Sequence, residues 1–111
     1  MKGDNSVLPS SFIPEMTQRI AEKYNPLRII LFGSQARGDA GDTSDVDLLI
    51  VFPKVDDRRQ MNIQIRRLLS DVPVCKDIFV TTPEEIEKRG HLVGDVLRTA
   101  LREGQVLYEQ S

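Results

Sequence analysis

The sequence predicts an α+β domain: a small mixed β-sheet packed with helices. Three observations carry that prediction. Short apolar runs bounded by Pro and Gly read as buried strands. Stretches with apolar residues at helical spacing lie between them. Their order (helix, strand, strand, helix, strand, helices, strand) implies a mixed sheet. At 111 residues the chain suits one compact core. Residues 1–10, with Gly3, Asp4, Asn5, Ser6 and Pro9, read as a flexible arm, and residues 11–111 as a single domain.

Each element has its own signal. Ser10 or Ser11 is placed to cap a first helix that runs to about Tyr24, with Ile13, Met16 and Ile20 on its buried stripe. Asn25-Pro26 ends it. Leu27 to Phe32 is the first strand, apolar throughout its centre. Gly33 to Ser44 is a polar, Gly-containing loop, and Asp45 to Phe52 is the second strand, closed by Pro53. These two strands are expected to be neighbours. Asp56 or Asp57 opens a second helix whose stripe is Met61, Ile65, Leu68 and Leu69, with Arg58, Arg59, Arg66 and Arg67 mainly outside it. Val74 to Thr81 is the third strand. Thr82-Pro83-Glu84-Glu85 is a helix start with the pattern of a capping box. A final helix near Gly90 to Glu103 is ended by Gly104, and Gln105 to Tyr108 forms a short edge strand.

Composition narrows the function classes. A net charge of −2, 5% aromatic residues and no Trp argue against a nucleic-acid-gripping surface. The single cysteine, Cys75, excludes an internal disulfide and a multi-Cys zinc site; its apolar surroundings predict a buried structural thiol. There is no signal-peptide pattern at the start, and no apolar stretch approaches the roughly 18 residues of a membrane span. A soluble, cytoplasmic protein is expected, with no membrane partner.

The chemistry concentrates around one strand. Asp45 and Asp47 stand at i and i+2, so on a strand they project from one face, while Val46, Leu48 and Ile50 point to the other. Paired carboxylates at the end of a buried strand suit a hard divalent cation, Mg²⁺ or Mn²⁺. Asp-x-Asp is also common in a plain loop cap. Asp77 interrupts the otherwise buried run Val74 to Val80 and needs a partner there. Adjacent Lys76 faces the opposite way; a shared metal, or a salt bridge to Arg28 or Arg37, would serve. Gly33 and Ser34 begin a polar turn whose N–H groups and hydroxyl could hold a phosphate, with Arg37 three residues on. The lone His91 reads as a surface or capping residue, and the loop residues Asp39 and Asp42 as turn formers.

Leu31-Phe32-Gly33-Ser34-Gln35-Ala36-Arg37-Gly38-Asp39, followed by Ser44-Asp45-Val46-Asp47-Leu48-Leu49-Ile50-Val51, resembles the signature of the polymerase-β-type nucleotidyltransferase superfamily. From the first helix to Tyr108 the chain is similar to its minimal nucleotidyltransferases. The resemblance implies transfer of a nucleoside monophosphate from a triphosphate, AMP from ATP, with release of pyrophosphate. It assigns Asp45, Asp47 and Asp77 as catalytic and metal-binding residues for two Mg²⁺ or Mn²⁺ ions. It assigns Gly33 and Ser34 to the β- and γ-phosphates, and Arg37 to the same triphosphate. Domains that bind the acceptor in larger members have no counterpart here, so a partner is expected to supply the acceptor. Many minimal members resemble antitoxins paired with a helical HEPN-domain toxin, some of which they adenylylate. Two alternatives stand beside this: a non-catalytic antitoxin that occludes its partner, and a small-molecule nucleotidyltransferase built across a homodimer.

Overall fold

The computed structural model of the chain describes residues 9–33, 45–89 and 102–110. A 3-10 turn, Pro9–Phe12, leads into α1, Ile13–Tyr24. The serines expected to cap this helix lie inside the 3-10 turn instead. Phe12 holds the cap position and makes no side-chain cap bond, because the tighter turn and Pro14 already set the direction of entry. Ile13, Met16 and Ile20 are buried as the spacing requires. Asn25 ends α1 in the left-handed region (φ 47°, ψ 56°), its N–H bonded to Ala21 O at 3.0 Å; Asn tolerates this conformation, and Pro26 prevents continuation.

Four strands follow: β1 (Arg28–Phe32), β2 (Val46–Val51), β3 (Lys76–Thr81) and β4 (Gln105–Glu109). Their order in the sheet is β3-β2-β1-β4. β1 is antiparallel to both β2 and β4, while β2 and β3 run parallel. The sheet is therefore mixed, as predicted, and the strands flanking the polar loop are neighbours. The parallel pair is possible because α2, Arg58–Leu68, carries the chain back between its strands. A third helix, α3 (Pro83–Arg89), begins as its sequence suggests, with Glu85 N–H bonded to Thr82 Oγ1 at 3.2 Å.

The alternation of side chains divides the sheet into two faces. Ile29, Leu31, Val46, Leu48, Ile50, Ile78 and Val80 pack against α1 and against Ile65 and Leu69 of the α2 segment. Ile30, Phe32, Leu49 and Val51 form a second cluster on the opposite face, joined by Leu27, Phe79 and Ile86. The start of α2 is as expected, with Asp57 capping it by accepting from Gln60 N–H at 3.0 Å, and its arginines are exposed. Asp57→Ala is expected to cost about 1 kcal/mol in chemical denaturation, with Asp57→Asn recovering most of it. An unchanged midpoint for Asp57→Ala would refute the capping role.

One expectation is corrected. Cys75 is exposed, not a buried thiol. It precedes the first residue of β3, where its carbonyl accepts from Val46 N–H at 2.9 Å and its side chain lies outside the packed strand. Residues 1–8 of the arm expected over residues 1–10, and residues 90–101 of the expected last helix with His91, lie outside the described residues; Pro9 and Ser10 belong to the 3-10 turn, Arg102 and Glu103 are helical, and β4 follows after Gly104. Among the described residues, no helix is long and apolar enough to cross a membrane.

Candidate active site

The site grows from the start of β2. Asp47 is the register partner of Phe32 on antiparallel β1 and of Asp77 on parallel β3. In-register neighbours share a face, so Asp47 and Asp77 project together from the second face of the sheet, above Phe32 and Phe79. Those two rings pack with centroids 5.5 Å apart. Asp45 immediately precedes β2 and is exposed, whereas Asp47 and Asp77 are half-buried. Among the described residues no group of three or more His, Cys, Asp or Glu side chains is arranged to hold a metal ion. Two carboxylates, Asp47 and Asp77, are brought together, and the third, Asp45, is close enough for its charge to act on Asp47.

The consequence is electrostatic. Asp47 is pushed up to about 6: burial contributes most, then the charges of Asp77 and Asp45, then a hydrogen bond with Asp77 that a protonated Asp47 donates. Every one of these influences favours the neutral acid. Among the described residues, the cations considered from the sequence are engaged elsewhere. Arg28 pairs with Glu109 at 3.2 Å, and Lys76 donates to the carbonyls of Val72 and Val74, each at 3.0 Å. Arg37 lies outside the described residues.

Because the folded pKa of Asp47 stands above its unfolded value of 3.8, the folded state binds more protons between pH 3.8 and about 6. Its contribution to stability therefore falls as pH rises through that window. With discount for partial solvent screening, Asp47→Asn should stabilise the fold by about 1 kcal/mol near pH 7.5, and the difference should vanish near pH 4. Urea denaturation at the two pH values checks this; a variant less stable than the wild type at both would contradict it.

Gly33 completes the geometry. It follows Phe32 and takes φ +78°, a conformation that favours glycine. A Cβ built there would overlap Oδ2 of Asp47 and stand 3.3 Å from its Cγ. The Asp47 carboxylate thus lies directly against the backbone that begins the polar loop. Ser34 and Arg37 lie beyond it, outside the described residues. Sequence reasoning named Gly33 for phosphate contact but missed this steric role, and it missed Phe32 and Phe79 as the apolar floor; their parity with Asp47 and Asp77 along the strands was the available signal.

An in-register carboxylate pair with oxygen donors alone, bordered by a close-approach glycine, suits hard-cation and phosphate chemistry. Comparison with known proteins shows the family. The model of the nucleotidyltransferase domain family matches residues 13–107. The chain belongs to that family. Nucleotidyl transfer is accordingly its enzyme class. A Methanocaldococcus jannaschii protein named "putative protein adenylyltransferase" is 36% identical over 98 residues, 86% of this chain and 94% of its own length. A second protein of the same name and organism is 37% identical over 65 residues, 57% of this chain, but the match spans only 42% of that relative.

Three solved structures share the fold. A "putative nucleotidyltransferase" from Sulfolobus solfataricus aligns over 90% of this chain and 79% of its own, with TM-score 0.64 and 23% identity. A toxin–antitoxin structure with AMP-PNP aligns over 89% and 75%, with TM-score 0.63 and 17% identity. A "putative minimal nucleotidyltransferase" aligns over 92% and 98%, with TM-score 0.55 and 23% identity. At these identities the likeness is one of fold, and it agrees with the predicted architecture.

Proposed function

We propose that this nucleotidyltransferase moves AMP from ATP onto a hydroxyl of a partner protein, as the cytoplasmic antitoxin of a pair with a helical HEPN-type toxin. The observation that carries the site is Asp47, held against Gly33 and in register with Asp77, with the charge of Asp45 acting on it. The acceptor class is supported by two relatives named as protein adenylyltransferases, and the pairing by a fold neighbour from a toxin–antitoxin structure with AMP-PNP.

In this reading Asp45, Asp47 and Asp77 would hold Mg²⁺ or Mn²⁺. The bound ions would neutralise phosphate charge and activate the acceptor hydroxyl. What supports this is the chemistry of the donors: Asp47 and Asp77 stand in register with oxygen atoms alone, and a cation would offset the charge of an ionised Asp47. The chain's own contribution is positioning. Gly33 lets backbone and carboxylate approach closely, Phe32 and Phe79 flank the pair on the same face, and Asp77 would accept the proton of the acceptor hydroxyl. Ser34 and Arg37 are proposed to hold the triphosphate. Phosphoryl-type transfer depends on positioning and charge neutralisation, so so small a scaffold can suffice.

The direct test incubates the chain with Mg²⁺, labelled ATP and the protein encoded beside it. Label should pass to the partner and depend on the metal; a folded pair that takes no label with Mg²⁺ or Mn²⁺ would sink the proposal.

A further inference from the structure

The exposed face of α2 is not used by the carboxylate site. Arg58–Leu68 contains four arginines and no acidic residue, within a chain of net charge −2. Arg58 pairs with Glu85, and Arg66 Nε donates to Asn62 Oδ1 at 2.7 Å. Arg59, Arg66 and Arg67 pair with no carboxylate among the described residues. Ile63 stands among them at 36% exposure, an apolar side chain at the middle of a cationic surface. Arg58, Arg59, Asn62, Ile63 and Arg66 line an open depression of about 620 Å³.

We propose that this face is a docking surface for an acidic segment of the partner protein that carries the acceptor hydroxyl. Charge complementarity selects the occupant: unpaired guanidinium groups match carboxylates in bidentate geometry, and a central apolar residue rimmed by Arg is the make-up of a protein interface. A nucleic acid fits less well, because the patch offers no aromatic ring for a base to stack on. The face is also tied to the site. Asn62, which holds Arg66, donates through Nδ2 to Ile78 O at 2.6 Å, on the outer edge of β3 and one residue from Asp77. A partner seated on α2 would extend around that edge to meet the carboxylates on the sheet's other face.

The acceptor role rests on the proposed adenylyl transfer, while docking itself is measured without nucleotide or metal, so the two can fail separately. The probe is a labelled helical peptide with three Glu around one Leu, titrated by fluorescence anisotropy. The intact chain should bind it, more weakly as salt rises. Arg59→Glu/Arg66→Glu should weaken binding about tenfold or more, and Arg59→Lys/Arg66→Lys should lie between. A Gln-for-Glu peptide should bind no better than the reversed variant does. Absence of binding by the acidic peptide, equal binding by the reversed variant with its fold intact by circular dichroism, or preferential binding of a single-stranded oligonucleotide through the same arginines would each overturn the proposal.

Discussion

Asp47→Asn should leave the fold intact and reduce AMP transfer to the partner by on the order of 10³-fold or more. Asp47 is the only one of the three carboxylates flanked on both sides within the sheet, by Phe32 and by Asp77. Its replacement removes the charge that the proposed metal site depends on, yet relieves a repulsion that burial enforces. Activity and stability should therefore move in opposite directions, which a merely structural residue would not show. Label transfer followed alongside urea denaturation separates the two. A variant that keeps a tenth of the wild-type rate would remove Asp47 from the chemistry. The non-catalytic reading meets its test in Asp45→Asn/Asp47→Asn: full neutralisation of the partner by that double variant would favour occlusion over catalysis.

Gly33→Ala should be costly for two separable reasons. At φ +78° an alanine pays about 1–2 kcal/mol of backbone strain. Its Cβ also overlaps Oδ2 of Asp47, so the carboxylate must leave its place between Phe32 and Asp77. A stability loss of about 2 kcal/mol and a loss of transfer comparable with Asp47→Asn are expected. A double-mutant cycle resolves the contributions: in an Asp47→Ala background the steric part disappears and only the strain remains. Strict additivity of the two changes would show that the close approach has no energetic weight.

Much of the site was legible before folding because period-2 alternation is a local property. Asp45-Val46-Asp47 declares two carboxylates on one face and a core residue on the other, and the structure keeps Val46, Leu48 and Ile50 fully buried there. Asp77 was visible as a polar interruption of an apolar run. The capping signals at Asp57 and Thr82 were also readable, since the side chain and N–H that bond are only three residues apart. The serine cap of α1 failed for a related reason: several polar residues stood near the start, and Pro14 with a 3-10 turn, rather than the nearest hydroxyl, set the entry. Cys75 failed because an apolar neighbourhood in sequence does not say where a strand begins.

What the sequence determined by itself was the inventory of elements, their alternating faces and the residues proposed to carry the reaction, all legible from patterns within a few positions. Only the tertiary structure decided that Asp47 would lie in register between Phe32 and Asp77, with its carboxylate against Gly33. Strand order and register arise from closing long connections around a common core, and it is that long-range packing which confines three like charges near an apolar floor and gives one of them its raised proton affinity.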